Sequence, residues 1–181
     1  VEAMVGSSIA GTVFVPIDPR TKGQKLTYML DFAECKGVIV ADYALPNLLA
    51  CLPSLSRIEW IWVLQSNGET PLPERDRLGQ GGTEIRVRPF GDILTSVAED
   101  IQIASNDPMA PMQMLYTSGT TGDPKAIMAP HARFGSIAAL GPVIGLKPED
   151  RPYTGLSLTH ANAQLITLGN ILKMGLRGVI S

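Results

Sequence analysis

The pattern that most constrains the fold is an alternation of short apolar runs with segments of helical periodicity. Residues 37–41 and 60–64 are continuous apolar runs of the kind that form strands buried on both faces. Near these runs, residues 22–35 and 44–52 repeat apolar positions at the spacing of a helix packed on one side. The alternation predicts an α/β fold that has a mainly parallel sheet with helices on both faces.

The same reasoning predicts further elements along the chain. Helices are expected over residues 3–10, 90–98, 131–144 and 162–174. In the helix over 90–98, Phe90, Leu94 and Val97 should face inward. Strands are expected over 13–19 and 112–117, and residues 150–157 should lead into another strand. Residues 66–89 are rich in Gly, Pro, Glu and Arg, which predicts a long exposed excursion.

Composition excludes several classes of protein. Apolar residues make up 45% of the 181-residue chain and charged residues 18%, which is the balance of a globular domain and not of a disordered chain. The net charge of −2 and the dispersed basic residues argue against a nucleic-acid surface. Because no run of about 18 apolar residues occurs, no membrane span is expected, and no signal peptide is expected at the N-terminus.

The two cysteines are typical of a protein from a reducing compartment and do not indicate a disulfide framework or a metal site. Cys35 and Cys51 are too few for a disulfide framework, and neither has the spacing of a metal ligand. They are interpreted as reduced core thiols of a cytoplasmic protein. Because the chain begins and ends inside predicted elements, residues 1–181 are expected to form a single truncated α/β subdomain, with about 150–181 beginning the next one.

A loop rich in Gly, Ser and Thr follows the strand predicted over 112–117 and ends at Lys125. A polyphosphate needs many hydrogen-bond donors at short range and some positive charge. Gly119 and Gly122 allow successive N–H groups to turn towards a ligand, the hydroxyl groups add donors, and Lys125 adds a point charge. The loop therefore predicts a phosphate site, although a flexible linker has a similar composition.

The spacing of this loop excludes two common nucleotide-binding patterns. A Walker A loop has four residues between its glycines and a Ser or Thr after the Lys. Here two residues separate Gly119 from Gly122, and Ala126 follows Lys125. The GxGxxG dinucleotide pattern is also absent from the loop.

The loop closely resembles the signature of the AMP-forming synthetase and ligase family. This family includes acyl-CoA synthetases, the adenylation domains of peptide synthetases and firefly-type luciferases. The matching residues are Tyr116-Thr-Ser-Gly-Thr-Thr-Gly-Asp-Pro-Lys125. Residues 11–19 resemble the family's GAVYVPIDP segment and residues 151–164 its LPLFHxxA segment, so the likeness covers nearly the whole chain. Ala126 departs from the family, which usually has Gly at that position.

The resemblance implies a ligase that makes an acyl-adenylate. A carboxylate attacks the α-phosphorus of ATP, and a thiol, often that of coenzyme A, then accepts the acyl group. The implied substrate is a small carboxylic acid, and the implied cofactors are ATP, Mg²⁺ and coenzyme A. By resemblance the loop holds the β- and γ-phosphates, with catalytic roles for Lys125 and Thr120. The implied nucleotide-binding residues are Thr117, Ser118, Gly119, Thr120, Thr121, Gly122 and Lys125.

The segment that the resemblance assigns to the acyl side departs from the family at two positions. Ser157 and Thr159 replace the common Pro and Phe, which leaves the acyl substrate open. His160, Asn162 and Ala163 are expected to line the substrate pocket. His160 needs no general-base role, because a carboxylate nucleophile is already ionised at pH 7.

His131, the other histidine, should be a partly exposed residue at a helix start. Two other interpretations of the chain remain open: a non-catalytic nucleotide-binding or scaffolding module, and an unrelated phosphotransferase that would release ADP. Complete members of the family are longer, so the chain alone is expected to show no ligase turnover. Apolar surface exposed by truncation is expected to favour a homo-oligomer.

Overall fold

The computed structural model describes residues 1–66, 77–80, 83–97, 100–117 and 123–180. These residues divide into two compact units. The hairpin unit consists of residues 1–17, 100–117 and 125–180, and the sheet unit consists of residues 18–66, 77–80, 83–97 and 123–124. That residues 1–181 are one truncated subdomain, with the next beginning near residue 150, stays a prediction.

The described residues form six strands and six α-helices. The strands are β1 (Gly37–Ala41), β2 (Trp60–Leu64), β3 (Arg77–Gln80), β4 (Thr83–Pro89), β5 (Pro111–Thr117) and β6 (Lys125–Pro130). The helices are α1 (Glu2–Ile9), α2 (Gly23–Phe32), α3 (Leu45–Cys51), α4 (Gly91–Thr95), α5 (His131–Ala138) and α6 (Gly169–Met174). Short 3₁₀ turns lie at Asp42–Ala44 and Leu52–Ser54, and a π-helix over Ala163–Leu168 leads directly into α6.

The sheet unit is built on a four-stranded sheet in the order β1–β2–β4–β3. Strands β1, β2 and β4 are parallel, and β3 is antiparallel to β4. Alternate residues of β2 and β4 are buried, and Ile61 has no exposed surface at all (0%). Buried leucines of α2 and α3, such as Leu30 and Leu48, complete the core. The mixed α/β fold with a parallel sheet is therefore confirmed.

The long exposed excursion expected over residues 66–89 is only partly correct. Two strands, β3 and β4, occupy much of its second half, and β4 is an interior strand of the sheet. Ile85 and Val87 are buried while Arg86 and Arg88 are exposed, which is the alternation of a strand with one covered face. The helix expected over 90–98 is shorter, and Val97 is 91% exposed instead of facing inward. The side chain of Leu94 lies outside the described residues.

Gly37 makes the closest approach in the sheet. It is the register partner of Trp60, and a Cβ atom at position 37 would lie 1.8 Å from Cε2 of the Trp60 ring. Gly37→Ala is therefore expected to lower the free energy of unfolding by about 1–3 kcal/mol, the usual cost of overpacking. Urea unfolding measures the change. Gly91→Ala is the control because a Cβ there meets nothing within 4 Å, and equal losses in the two variants would contradict the prediction.

Cys35 and Cys51 are both free thiols, and burial raises the pKa of Cys35 to about 11. A raised pKa favours the neutral thiol, and only the thiolate reacts with iodoacetamide. We expect labelling of Cys35 in the native chain to accelerate about tenfold per pH unit up to about pH 11, whereas the unfolded chain should level off near ~8.5. Peptide mass spectrometry follows the reaction. A native labelling curve that levels off near pH 9 would contradict it.

The hairpin unit is organised around β5 and β6, which form an antiparallel pair. Phe14 flanks β5 on the other side as a parallel bridge to Gln113. The Phe14 N–H donates to the Met112 carbonyl at 3.0 Å, and the Met114 N–H donates to the Phe14 carbonyl at 2.9 Å. The buried strand expected over 13–19 is thus reduced to this single bridge, and Val13 is exposed. Strand β6 was not predicted from the sequence.

Helices α1, α5 and the helix ending in α6 supply the core of the hairpin unit. One buried cluster joins Met4, Met112 and Leu168. The expected helix over 162–174 is confirmed in position, although its first half is a π-helix, and the helix expected over 131–144 ends at Ala138. The strand expected after residues 150–157 is not formed. The Val179 N–H donates to the Pro152 carbonyl at 3.1 Å, but this single backbone bond does not make a strand.

Candidate functional site

The β5–β6 hairpin holds the two ends of the Gly/Ser/Thr loop. Thr117 is the last residue of β5 and Lys125 the first residue of β6, and the two are register partners. The Thr117 hydroxyl donates to the Lys125 carbonyl at 3.3 Å, and both residues are exposed. The predicted site residues between them lie outside the described residues: Ser118, Gly119, Thr120, Thr121 and Gly122.

This hairpin anchors the ends of the loop to a packed core. In the hairpin, Leu115 of β5 and Ala129 of β6 are buried in one cluster with Leu165 of the π-helix. Anchored ends reduce the conformational freedom that a binding loop loses when it closes around a ligand. Lys125 presents an exposed cation beside this anchor, and no ion pair of Lys125 occurs among the described residues. Such an arrangement suits the oxygens of a phosphate.

The segment that precedes the π-helix carries the predicted acyl-side residues. His160 and Asn162 are exposed, whereas Ala163 is fully buried at the first π-helical position. The His160 N–H donates to the Ser157 carbonyl at 2.9 Å, which closes a turn just before the helix. Of the three predicted pocket residues, only Ala163 lines the cleft described next.

An apolar cleft lies beside the helix, within the hairpin unit. Its empty volume is about 240 Å³ including the open mouth. The helix side is lined by Ala163, Thr167 and Ile171, and the opposite side includes Tyr153 and Val179. Its lining is mainly apolar, and Tyr153 and Thr167 are among the lining residues that carry a hydroxyl group.

The helix and the hairpin belong to the same packed unit. Leu165 contacts the Leu115–Ala129 cluster, and Leu168 contacts the Met4–Met112 cluster. The ends of the loop and the segment around His160 are therefore fixed to one core. The sequence resemblance had assigned these two segments to one site, and the fold builds both onto the same unit.

His131 is the first residue of α5 and is half-buried, as expected for a helix-start residue. Its Nδ1 lies 3.3 Å from the Ser8 hydroxyl of α1. Its backbone N–H donates to the Ala110 carbonyl at 3.2 Å. These contacts link α5 to α1 and to the start of β5, which is a structural role.

Three buried amide side chains were not singled out by the sequence. Gln113, Gln164 and Asn170 are each at most 2% exposed. The Gln164 amide donates to the Leu158 carbonyl, and the Asn170 amide donates to the Ile166 carbonyl at 2.6 Å. Among the described residues, the side-chain oxygens of all three have no hydrogen-bond partner. The sequence feature that could have indicated these buried amides is a Gln or Asn within an otherwise apolar segment.

Within the described residues, no group of three or more His, Cys, Asp or Glu side chains is placed to hold a metal ion. In those same parts of the chain, no helix is both long and apolar enough to cross a bilayer. At the described end of the hairpin, the exposed ammonium group of Lys125 is a cation of the kind that binds phosphate oxygens.

Comparison with known proteins identifies relatives along the whole chain. The sequence model of the family described as "AMP-binding enzyme" matches residues 1–181. The nonribosomal peptide synthetase nlsA of Emericella nidulans is 27% identical over 92% of this chain, which covers 2% of that protein. The medium-chain-fatty-acid–CoA ligase of Ectopseudomonas oleovorans is 26% identical over 90% of this chain, which covers 29% of that protein.

Solved structures show the same fold. The anthranilate CoA ligase AuaEII, solved with anthranoyl-AMP, superposes with a TM-score of 0.84 at 23% identity over 99% of this chain and 32% of that chain. A benzoate CoA ligase from Burkholderia xenovorans LB400 gives a TM-score of 0.75 at 20% identity, over 98% of this chain and 32% of that one. The chain thus spans less than a third of the length of these relatives. Because the family model matches from end to end, the chain belongs to the AMP-binding enzyme family.

Proposed function

We propose that this chain is the phosphate-binding part of an AMP-forming ligase that activates a small carboxylic acid. The observation that carries the proposal is the hairpin in which Thr117 and Lys125 bracket the family signature. The family match along all 181 residues supports it. Since the chain spans less than a third of its relatives, the activity is proposed for the longer polypeptide that contains it.

The proposed reaction has two steps. A carboxylate oxygen attacks the α-phosphorus of ATP, a new carboxylate–phosphorus bond forms, and the bond to the β-phosphate oxygen breaks to release pyrophosphate. The sulfur of a thiol then attacks the carbonyl carbon of the acyl-AMP, so that a thioester forms, the bond to the phosphate oxygen breaks and AMP leaves, while the thiol proton passes to water. Catalysis in phosphoryl transfer rests on positioning and on electrostatic stabilisation of charge. Lys125 would stabilise the negative charge on the departing pyrophosphate.

Thr117 would have a different part in this site from the loop hydroxyls. Its hydroxyl donates to the Lys125 carbonyl, so its hydrogen is already engaged across the mouth of the hairpin. We assign Thr117 to fixing the loop ends, and Ser118, Thr120 and Thr121 to binding phosphate oxygens, with Thr120 keeping the catalytic role that the resemblance implies. Mg²⁺ would enter with ATP as the counter-ion of its phosphates.

The acyl substrate is proposed to be small. Ala163 lines a cleft whose empty volume of about 240 Å³ includes its open mouth, so little of it is enclosed space that an acyl group could fill. His160 and Asn162 would border its entrance from the exposed start of the helix. We propose coenzyme A as the thiol acceptor, because CoA ligases are among the relatives and among the solved neighbours. Peptide synthetases among the relatives make a carrier-bound thiol the alternative acceptor.

A pyrophosphate-exchange screen of carboxylic acids on the full-length polypeptide tests the function. We expect ATP labelling that depends on one class of small acid, and AMP release that rises when coenzyme A is added. Formation of ADP in place of AMP would overturn the proposal in favour of a phosphotransferase. ATP binding without exchange for any acid would favour a non-catalytic nucleotide-binding module.

Three further properties stay proposals. The 181-residue chain by itself should form no acyl-AMP, because the described residues supply the loop anchor and part of one wall only. We place the ligase in the cytoplasm, where ATP and reduced thiols are available. Exposed apolar side chains such as Val143 and Leu172 would favour a homo-oligomer of the isolated chain.

A further inference from the structure

Gln164 holds the turn that carries His160. It is 2% exposed and lies at the second position of the π-helix. Its side-chain amide donates to the Leu158 carbonyl, and its backbone N–H donates to the His160 carbonyl at 3.2 Å. One buried residue therefore binds two carbonyl groups of the same short turn.

The other bonds of this turn lie at the surface. The Thr159 N–H donates to the Ser157 hydroxyl oxygen at 3.3 Å, and the Thr159 hydroxyl donates to the same oxygen at 3.1 Å. Water competes with exposed hydrogen bonds of this kind, whereas a bond donated from a buried amide has no such competitor. Backbone bonds hold His160 in the turn, and the Gln164 side-chain bond is the one from a buried amide that ties Leu158 to the helix.

Gln164 is also more polar than packing alone requires. Its side-chain oxygen is buried and finds no partner among the described residues. An unpaired buried acceptor costs free energy, so a Met or Leu of similar volume would fill the same space at lower cost. The π-helix in which it lies is an uncommon geometry that recurs at functional sites.

We propose that Gln164 is a positioning residue that acts through His160 on the acyl side of the ligase site. Its side chain holds the Leu158 carbonyl, two residues before His160, and so limits where the exposed His160 side chain stands at the start of the helix. The part that concerns activity rests on the proposed ligase function. The part that concerns the turn stands on the hydrogen bonds alone.

The test compares variants of the full-length polypeptide. Gln164→Met keeps the length and volume of the side chain but removes the donor, and Gln102→Met is the matched control because Gln102 is exposed. We expect Gln164→Met to raise the KM for the acid in pyrophosphate exchange about tenfold while the KM for ATP changes less than about twofold, since small misplacement near a reacting group is costly. His160→Ala should raise the KM for the acid to a similar degree.

A double-mutant cycle separates positioning from general destabilisation. If Gln164 acts through His160, Gln164→Met should have no further effect on the KM for the acid in the His160→Ala background. Additive effects of the two substitutions would overturn the proposal. So would a fall in kcat with both KM values unchanged, which is the result expected if Gln164 only supports folding.

Hydrogen exchange provides the second arm, which does not depend on activity. In Gln164→Met, the amides of His160 and Gln164 should exchange about tenfold faster than in the original protein, while those of β5 and α6 stay unchanged. Equal hydrogen-exchange rates at the His160 and Gln164 amides in the two proteins would overturn the inference, even if the enzyme catalyses pyrophosphate exchange. If no acid supports pyrophosphate exchange, the proposed function fails. The hydrogen-exchange rates of the amides then decide by themselves whether Gln164 holds the turn.

Discussion

Lys125→Ala is expected to lower acid-dependent pyrophosphate exchange by about 10²–10³, the usual loss when a single charge-stabilising group is removed from such a site. Lys125 is the exposed first residue of β6, and its backbone is fixed by register pairing with Thr117 and by the 3.3 Å bond to the Thr117 hydroxyl. The ammonium group therefore projects from a rigid base. Most of the loss should appear in kcat, because charge develops on the pyrophosphate in the transition state.

A matched control makes this prediction specific. Lys147 is also an exposed lysine of the hairpin unit, so Lys147→Ala removes the same charge from the same unit at a position outside the signature motif. We expect its exchange rate to stay within about twofold of the unmodified protein, since a distant surface charge changes little. Unchanged exchange in Lys125→Ala would remove Lys125 from the assignment, and equal losses in both variants would point to a general effect of net charge.

Leu165→Ala is expected to lower the free energy of unfolding of the hairpin unit by about 2–5 kcal/mol. Leu165 is 3% exposed and joins Leu115 of β5 to Ala129 of β6 in one cluster. Removing its side chain leaves a cavity under the hairpin that anchors the loop. A loss of that size is a large part of the total stability of a typical domain.

The neighbouring residue provides the control for this substitution. Ile166 lies on the same helix but is 40% exposed, so Ile166→Ala should cost less than about 1 kcal/mol. Urea unfolding followed by far-ultraviolet circular dichroism measures both variants. Similar losses for the two would mean that Leu165 does not carry the contact between helix and hairpin.

The strands of the sheet unit differ in how clearly the sequence pattern predicts them. β1 and β2 are runs of apolar and β-branched residues, so they were predicted correctly. β4 was missed although Ile85 and Val87 alternate with Arg86 and Arg88, because the surrounding Gly, Pro and charged residues outweighed a short period-two pattern. Such a strand is defined by its pairing with β2, which local composition does not contain.

The hairpin unit was harder to anticipate for a similar reason. β6 is defined by its register with β5, and the intervening loop suggested a strand followed directly by a helix. The π-helix was not predicted, since a short π segment inside a helix is an irregularity of its backbone bonds that leaves the apolar residues of 162–174 on a helical pattern. Among the candidate site residues, Lys125 and Thr117 were recognisable from the motif. Gln164 was not, because its significance lies in hydrogen bonds to carbonyls that precede it.

The distribution of tryptophan gives the molecule a built-in optical reporter. Both tryptophans of the chain, Trp60 and Trp62, belong to β2 of the sheet unit. Tryptophan emission, excited selectively over tyrosine, therefore follows the sheet unit, while dichroism includes the helices of the hairpin unit. Recording both signals on one urea series would show whether the two units melt together. If the two units unfold separately, the loss in Leu165→Ala would appear in the dichroism and the loss in Gly37→Ala in the tryptophan emission.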